Sequence, residues 1–390
     1  MIKKLKKAGI LFVSLFAFLI NINLVNAAEN SQIVIEEYVQ AMNNHEWYAF
    51  STLHCTEEKI NLLEFFANSN NREEHVGVLN VKKASLIELV EVDLNDVSHM
   101  LYKDYDNKDA KVYVFGVDYD VYDDSKYYSS GINYNFITLI KENENWKVSE
   151  MLPISEPQKL LDYGYKFSKH FPITINVMES RKNGYLLNYE GEIFGTIGNN
   201  QTLQSRAVIN TRIVPSDLTP VRYRDANGNV STFSFHNYCL AVLAGELRGS
   251  EFDGVVRQAQ AIATKTFTWH YILYPHGATQ GFDINNDQQS YRPDLISKNP
   301  KVTEDYNRVR EIWMESYSGG IFIAYYKKGY YTDQTNYKNG GEFKQEGARW
   351  LYNQDTVNTT YKDLLKYYYD SSSASTGGPI RFFDSWKNEL

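Results

Sequence analysis

Glu246 ends the stretch YCLAVLAGE (residues 238–246), directly after an apolar helical turn (Leu240, Val242, Leu243) and a glycine. A carboxyl in apolar surroundings is disfavoured as the anion, so its pKa is expected to rise. Such a group can give a proton near neutral pH and take one back afterwards. Pattern alone also allows the plain reading, an exposed acid on a helix. A second segment, VVRQAQAIATKTF (residues 255–267), follows with small residues on one side and Gln258, Gln260 and Lys265 within it. The two glutamines are two positions apart and cannot share a helix face, so one is expected to serve the fold and the other a groove. Cys239 has His236 three residues before it, but its thiol sits in a Leu/Val-rich turn that disfavours a thiolate nucleophile. The same pair has the spacing of half a metal site, and no second half is evident. His270 and His276 read as surface or core histidines.

These residues must be positioned by a sizeable fold. The 390 residues are enough for two or three domains, and 43% hydrophobic content with 15% aromatics argues against disorder. The 31 tyrosines suit sugar or peptide contact, and a compositional bias toward Tyr, Asn, Lys and Ile explains them equally well. Two cysteines, Cys55 and Cys239, make no disulfide framework; two buried thiols are expected, with one bridge as the alternative.

The N-terminus reads as an export signal. Lys3, Lys4, Lys6 and Lys7 precede an apolar stretch from Ala8 to Val25, and Val25-Asn26-Ala27 fits cleavage after residue 27. An uncleaved membrane anchor is the alternative. The bulk of the chain is therefore expected outside the cytoplasm, secreted or in the cell envelope. Removing four lysines from a net charge of −8 leaves −12, which argues against nucleic acid as a partner.

An α+β organisation is expected. Residues 29–152 read as one small α+β domain: a helix from Ser31, a short helix over 45–53, then strands in VGVLNVKKASLIELVEV, KVYVFGVDYDVYD and NYNFITLIKENENWKVSEML. Tyr113, Phe115, Val117, Tyr119 and Val121 alternate as in a half-buried strand, and KENEN is a hairpin turn. Helices followed by a curved antiparallel sheet resemble the cone-shaped NTF2-like fold. Residues 153–168 read as a linker with one short helix. A second domain over 169–372 is expected to open with a strand at FPITINVMES and to continue with strands at YLLNYEGEIF, RAVINTRIVP and PVRYRDANGNVSTFSF. The helical block follows, then a helix EDYNRVREIWMESY and a strand IFIAYYKKGYY. The Ser/Gly-rich tail, 373–390, is expected to be loose at its start.

The order of landmarks in residues 170–370 resembles the SpoIID/LytB family, the sporulation stage II protein D and amidase-enhancer group. Tyr238, Leu240, Val242 and Glu246 carry the first element, and Gln258 to Phe267 the second with its AQA core. Asp283 with Gln289-Ser290-Tyr291-Arg292-Pro293 resembles a third, and Gly340, Gln345, Gly347 and Ala348 followed by YKDLLKYYY (361–369) a fourth. The departures are Asn339 for the family's histidine, Glu342-Phe343-Lys344 for its GMS, Val255-Val256-Arg257 for its EAL and Lys265 for its arginine.

The resemblance implies lytic cleavage of peptidoglycan glycan strands, with Glu246 as catalytic acid and then base and with no cofactor or metal. A single carboxyl suffices if the sugar's own C6 hydroxyl attacks the anomeric carbon. A hydrolase would need a second carboxylate, for which Glu251, Asp283 and Asp287 stand nearby in sequence. Gln260, Lys265, Tyr291 and Gln345 are the expected substrate-binding residues, although for Lys265 capping a sheet edge is the favoured role and contact with a sugar N-acetyl the second. The alternative is a non-catalytic peptidoglycan-binding or enhancer module acting on a partner amidase. A third reading gives the main function to a ligand in the N-terminal cone.

Overall fold

The computed structural model describes residues 31–105, 109–197, 215–247, 252–329, 338–372, 378–384 and 389–390. The expected export signal and most of the expected strand RAVINTRIVP lie outside them. The fold is mixed α+β. Among the described residues no helix is long and apolar enough to cross a membrane.

Ile35, Tyr38, Val39 and Met42 recur three and four apart, so α1 (Ser31–Asn43) buries one face. The helices α2 (Trp47–Thr52) and α3 (Thr56–Ala67) follow; α3 has no counterpart among the expected elements. The strands β1 (Val81–Val92), β2 (Ala110–Val121), β3 (Gly131–Glu142) and β4 (Asn145–Pro153) form an antiparallel sheet in chain order. Asn143 and Glu144 form the β3–β4 turn, both at positive φ, as a two-residue hairpin of matching twist requires. Register breaks in β1 and between β3 and β4 bend the sheet.

The expected half-burial holds only at the end of β2, where Asp118 and Asp120 are exposed; from Val112 to Val117 both faces are buried. Its Tyr113, Phe115 and Val117 join the core under α1 to α3. Its Val112 and Val114 join Phe136, Leu152 and Phe171 in a second core on the other face.

After α4 (Pro157–Asp162), the stretch FPITINVMES is helix α5 (Phe171–Lys182), not a strand. Phe171, Thr174, Val177, Met178 and Arg181 are its buried positions, a helical spacing, and Pro172 suits a first helical turn. The alternation of Ile173, Ile175 and Val177 is the misleading signal. YLLNYEGEIF is a hairpin, β5 (Tyr185–Leu187) and β6 (Ile193–Thr196), and DANGN joins β7 (Pro220–Arg224) to β8 (Val230–Ser234).

The helices α6 (Phe235–Glu246) and α7 (Gly254–Leu273) follow, and α7 is buried along most of its length at the centre of the largest core. A short strand, β9 (Ile284–Asn285), lies parallel to β7. The expected long helix from residue 304 stops early. α8 (Pro300–Arg308) gives way to β10 (Ile312–Glu315), because Trp313 and Met314 are drawn into the core. Among its described residues IFIAYYKKGYY keeps only β11 (Tyr325–Lys327), parallel to β12 (Glu342–Lys344); α9 (Gln345–Gln354) and α10 (Tyr361–Tyr369) follow. The start of the tail, 373–377, lies outside the described residues; further on, β13 (Arg381–Asp384) pairs with β10, and Ile380 and Phe382 are buried.

The N-terminal and C-terminal parts touch at specific polar contacts. Buried Asp283 accepts from Lys126 at 2.5 Å, the Tyr127 hydroxyl at 3.0 Å and the Arg222 backbone N–H at 3.0 Å. Gln280 Nε2 donates to Glu58 Oε1 at 2.6 Å. Gly77, at positive φ, lies so close to the Thr279 carbonyl that a Cβ would stand 2.3 Å from its oxygen.

Candidate active site

Helix α6 is capped by Ser234, whose hydroxyl accepts from Asn237 N–H, and its residues 238–245 are all buried. Glu246 is its last residue and is only partly buried. An apolar helix anchored on all sides thus presents one carboxyl at its C-terminal end. The two oxygens have separate donors. The Ser290 backbone N–H reaches Oε1 at 2.9 Å, and Gln345 Nε2 reaches Oε2 at 3.3 Å. Gln345 is the first residue of α9 and is 1% exposed, so its amide is held by packing.

Gly245 permits this arrangement. A Cβ there would stand 2.0 Å from the Ser290 carbonyl oxygen. The loop is tied again one step on, where the Arg292 N–H donates to the Ala241 carbonyl at 3.2 Å. Gly245→Ala is therefore expected to push residues 289–291 off α6 and break the Ser290–Glu246 bond. The expected cost is about 1–3 kcal/mol in urea unfolding. Unchanged stability in the alanine variant would contradict the close approach.

Gln289, expected only as part of QSYRP, is a buried bridge. Its Nε2 donates to the Tyr326 hydroxyl at 2.7 Å, and its Oε1 accepts from the Thr268 hydroxyl at 3.1 Å. The Tyr326 phenol is pushed well above its ordinary pKa, chiefly by burial and next by the Glu246 carboxylate. The phenol thus stays neutral beside the carboxyl.

The other expected site residues are placed differently. Gln260 is fully buried and donates to the Thr264 hydroxyl at 3.2 Å; it offers a substrate no surface, because its side of α7 faces the core. Gln258 instead holds Asp305, which also pairs with Arg257 at 2.6 Å. Lys265 is 1% exposed and donates to the carbonyls of Val309, Arg310 and Ile312, each at 2.7 Å, with Trp313 beneath it. It caps the turn between α8 and β10, the structural role. Burial draws its pKa down to about 7. Tyr291 is half-buried against Tyr223, Phe233 and Tyr238, where it supports the loop that carries Ser290.

The described second-carboxylate candidates, Asp283 and Asp287, have other surroundings. Asp283 is consumed by its buried ion pair, Asp287 lines a different cavity, and Glu251 lies outside the described residues. Cys55 and Cys239 are free, buried thiols; burial pushes Cys239 up to about 12, against a nucleophilic role. His270 and His276 are pulled down to about 3 by burial and stay neutral. No group of His, Cys, Asp and Glu among the described residues could hold a metal ion.

Residues 32–151 match the family described as a domain of unknown function, DUF4829. The match covers less than half of the chain and ends well before Glu246. No curated protein matches the chain. The assignment to the SpoIID/LytB family is thereby overturned: the family match is a different one, in the other part of the chain. The structure shows how the pattern arose. Ala259, Ala261 and Ala263 of the AQA helix and Leu364, Leu365, Tyr368 and Tyr369 of the tyrosine-rich helix are all buried, so both patterns report helix packing. At the departures, Phe343 and Lys344 are likewise buried.

Proposed function

We propose that Glu246 is the acid–base carboxyl of a glycan-cleaving site that acts on peptidoglycan strands outside the cytoplasm. The observation that carries this reading is the Glu246 carboxyl itself: partly exposed at the end of a buried helix, with Ser290 N–H and Gln345 Nε2 on its two oxygens. Two rigid donors fix the direction in which a proton can be given and taken. In the first half of the reaction the protonated carboxyl gives its proton to the glycosidic oxygen as the C1–O bond breaks. In the second half the sugar's C6 hydroxyl oxygen bonds to C1 and the carboxylate takes its proton. The product ends in a 1,6-anhydro ring, and no second carboxylate is required.

Export behind residues 1–27 brings the chain to this substrate, and a cell-wall amidase that strips peptides from the strands is its natural partner. In the same reading the N-terminal part is a separate accessory domain of NTF2-like shape. Its bent antiparallel sheet and the three helices packed on one face support that.

The test is incubation with peptide-free glycan strands and mass spectrometry of the fragments. Wild type should release anhydro-ended fragments, and Glu246→Gln should slow release by about 10²–10⁴-fold. Retention of strands without any fragments would replace the enzyme by the binding module. Equal activity in Glu246→Gln would remove the carboxyl from the mechanism.

A further inference from the structure

A cavity of about 250 Å³ lies where the two parts of the chain meet, and neither Glu246 nor Ser290, Gln345 or Tyr326 lines it. Its N-terminal wall includes Glu57, Glu58, Lys103 and Glu150; its C-terminal wall includes Arg224, His276 and Asp287; Tyr102 stands between. The cations are already engaged. Lys103 donates to the Ser149 carbonyl and lies 3.9 Å from Glu57. Arg224 packs over Phe282 at 4.3 Å and donates to Gln280, which in turn donates to Glu58. Two carboxyls from opposite walls, Glu150 and Asp287, make no direct ion pair among the described residues; Lys103 acts on the first and Arg224 on the second only at longer range.

Glu150 is the telling one. It is 6% exposed, and its Oε1 accepts from the Tyr105 hydroxyl at 2.9 Å. Its Oε2 is buried with no hydrogen-bond partner among the described residues. A buried, half-satisfied carboxyl is costly in a fold that needs it only for packing. Metal binding does not account for it, since no metal-holding group occurs among the described residues. An ammonium needs less: one or two carboxylates and an aromatic face.

We propose that this cavity binds a small organic ligand through a primary ammonium group, paired with Glu150 on one wall and Asp287 on the other and covered by the Tyr102 ring. The volume suits a molecule of monosaccharide or amino-acid size rather than a polymer. The inference stands independently of the role of Glu246. Burial raises Glu150 to about 7, so a bound cation must displace its proton near neutral pH. The two histidines and the tyrosine facing it do not change charge there. His54 and His276 are held down to about 4 and about 3, and Tyr102 is raised to about 12, each chiefly by burial. Burial lowers the Arg224 pKa from its ordinary value.

The test is calorimetric titration of the intact chain with D-glucosamine, L-lysinamide and N-acetyl-D-glucosamine, in two buffers of different ionisation heat. At least one amine should bind with proton release, and the winner separates an amino-sugar source from an amino-acid source. Acetylated sugar, Glu150→Gln and Asp287→Asn should each weaken binding by about tenfold or more. Glu150→Gln keeps the shape of the side chain, and exposed Asp287 can be changed without unfolding, so the variants report binding. Absence of binding by both amines overturns the proposal. So does equal binding of the acetylated sugar, or binding that both variants leave unchanged.

Discussion

Asp283→Ala is expected to destabilise the chain by about 3–5 kcal/mol, the loss typical when one partner of a buried ion pair is removed. Asp283 is 1% exposed at its side chain and Lys126 is 18% exposed. Burial already pulls the Lys126 pKa down, and Asp283 is what opposes that pull. Without the carboxylate, the ammonium, the Tyr127 hydroxyl and the Arg222 N–H all lose their acceptor at once. These groups come from both parts of the chain, so the junction between them should loosen first. Urea unfolding should show the loss, and limited proteolysis should cut the variant faster near residues 122–130. Lys126→Met combined with Asp283→Asn should recover part of the stability, because no uncompensated charge then remains. A single variant as stable as wild type would show that the pair does not hold the junction.

Acid unfolding is the second large effect. His54 is pulled down to about 4, and His270 and His276 to about 3, all by burial. An unfolded histidine titrates near 6.5, so between these values the unfolded chain binds more protons than the folded one. Stability is therefore complete above about pH 6.5 and falls as pH drops toward the folded values. Each tenfold loss of proton affinity on folding corresponds to about 1.4 kcal/mol, so the three rings together withdraw on the order of 10 kcal/mol by pH 3, comparable with the whole stability of a domain. Glu150 acts in the opposite direction. Its folded pKa of about 7 lies above its ordinary value of 4.5. Its contribution is present below 4.5 and is lost as pH rises through 7. Three rings outweigh one carboxyl, so stability should keep rising from about pH 4 to pH 7 and then level off. Scanning calorimetry across pH should show the rise, and Glu150→Gln should steepen it between about pH 4.5 and pH 7. A flat profile between about pH 6.5 and pH 4 would contradict three rings buried in the neutral state.

Much of the local architecture was legible. The three-and-four spacing in α1, the turn at Asn143-Glu144, the DANGN hairpin and the helical character of the block in residues 238–267 all follow from short-range pattern. The failures occur where a pattern is locally ambiguous. Ile173, Ile175 and Val177 fit a strand as well as a helix until the partners are known. Residues 304–317 read as one helix because nothing local announces that Trp313 and Met314 pair with a strand near the C-terminus.

The candidate site divides the same way. Glu246 stands out in sequence as an acid after an apolar helical turn, and that expectation needs only local information. Gln345 is named through a family resemblance that the DUF4829 match overturns, yet its amide meets the Glu246 carboxyl across 99 positions. Ser290 and Gly245 carry no signal, because a backbone N–H and a missing Cβ act only through closeness to another segment. Gln260 and Lys265 are turned inward by the face of α7 they occupy. The sequence by itself determined which stretches bury an apolar face and where one acid follows such a stretch. Only the tertiary structure decided what each polar group meets, because hydrogen-bond partners and desolvation arise between residues far apart in the chain.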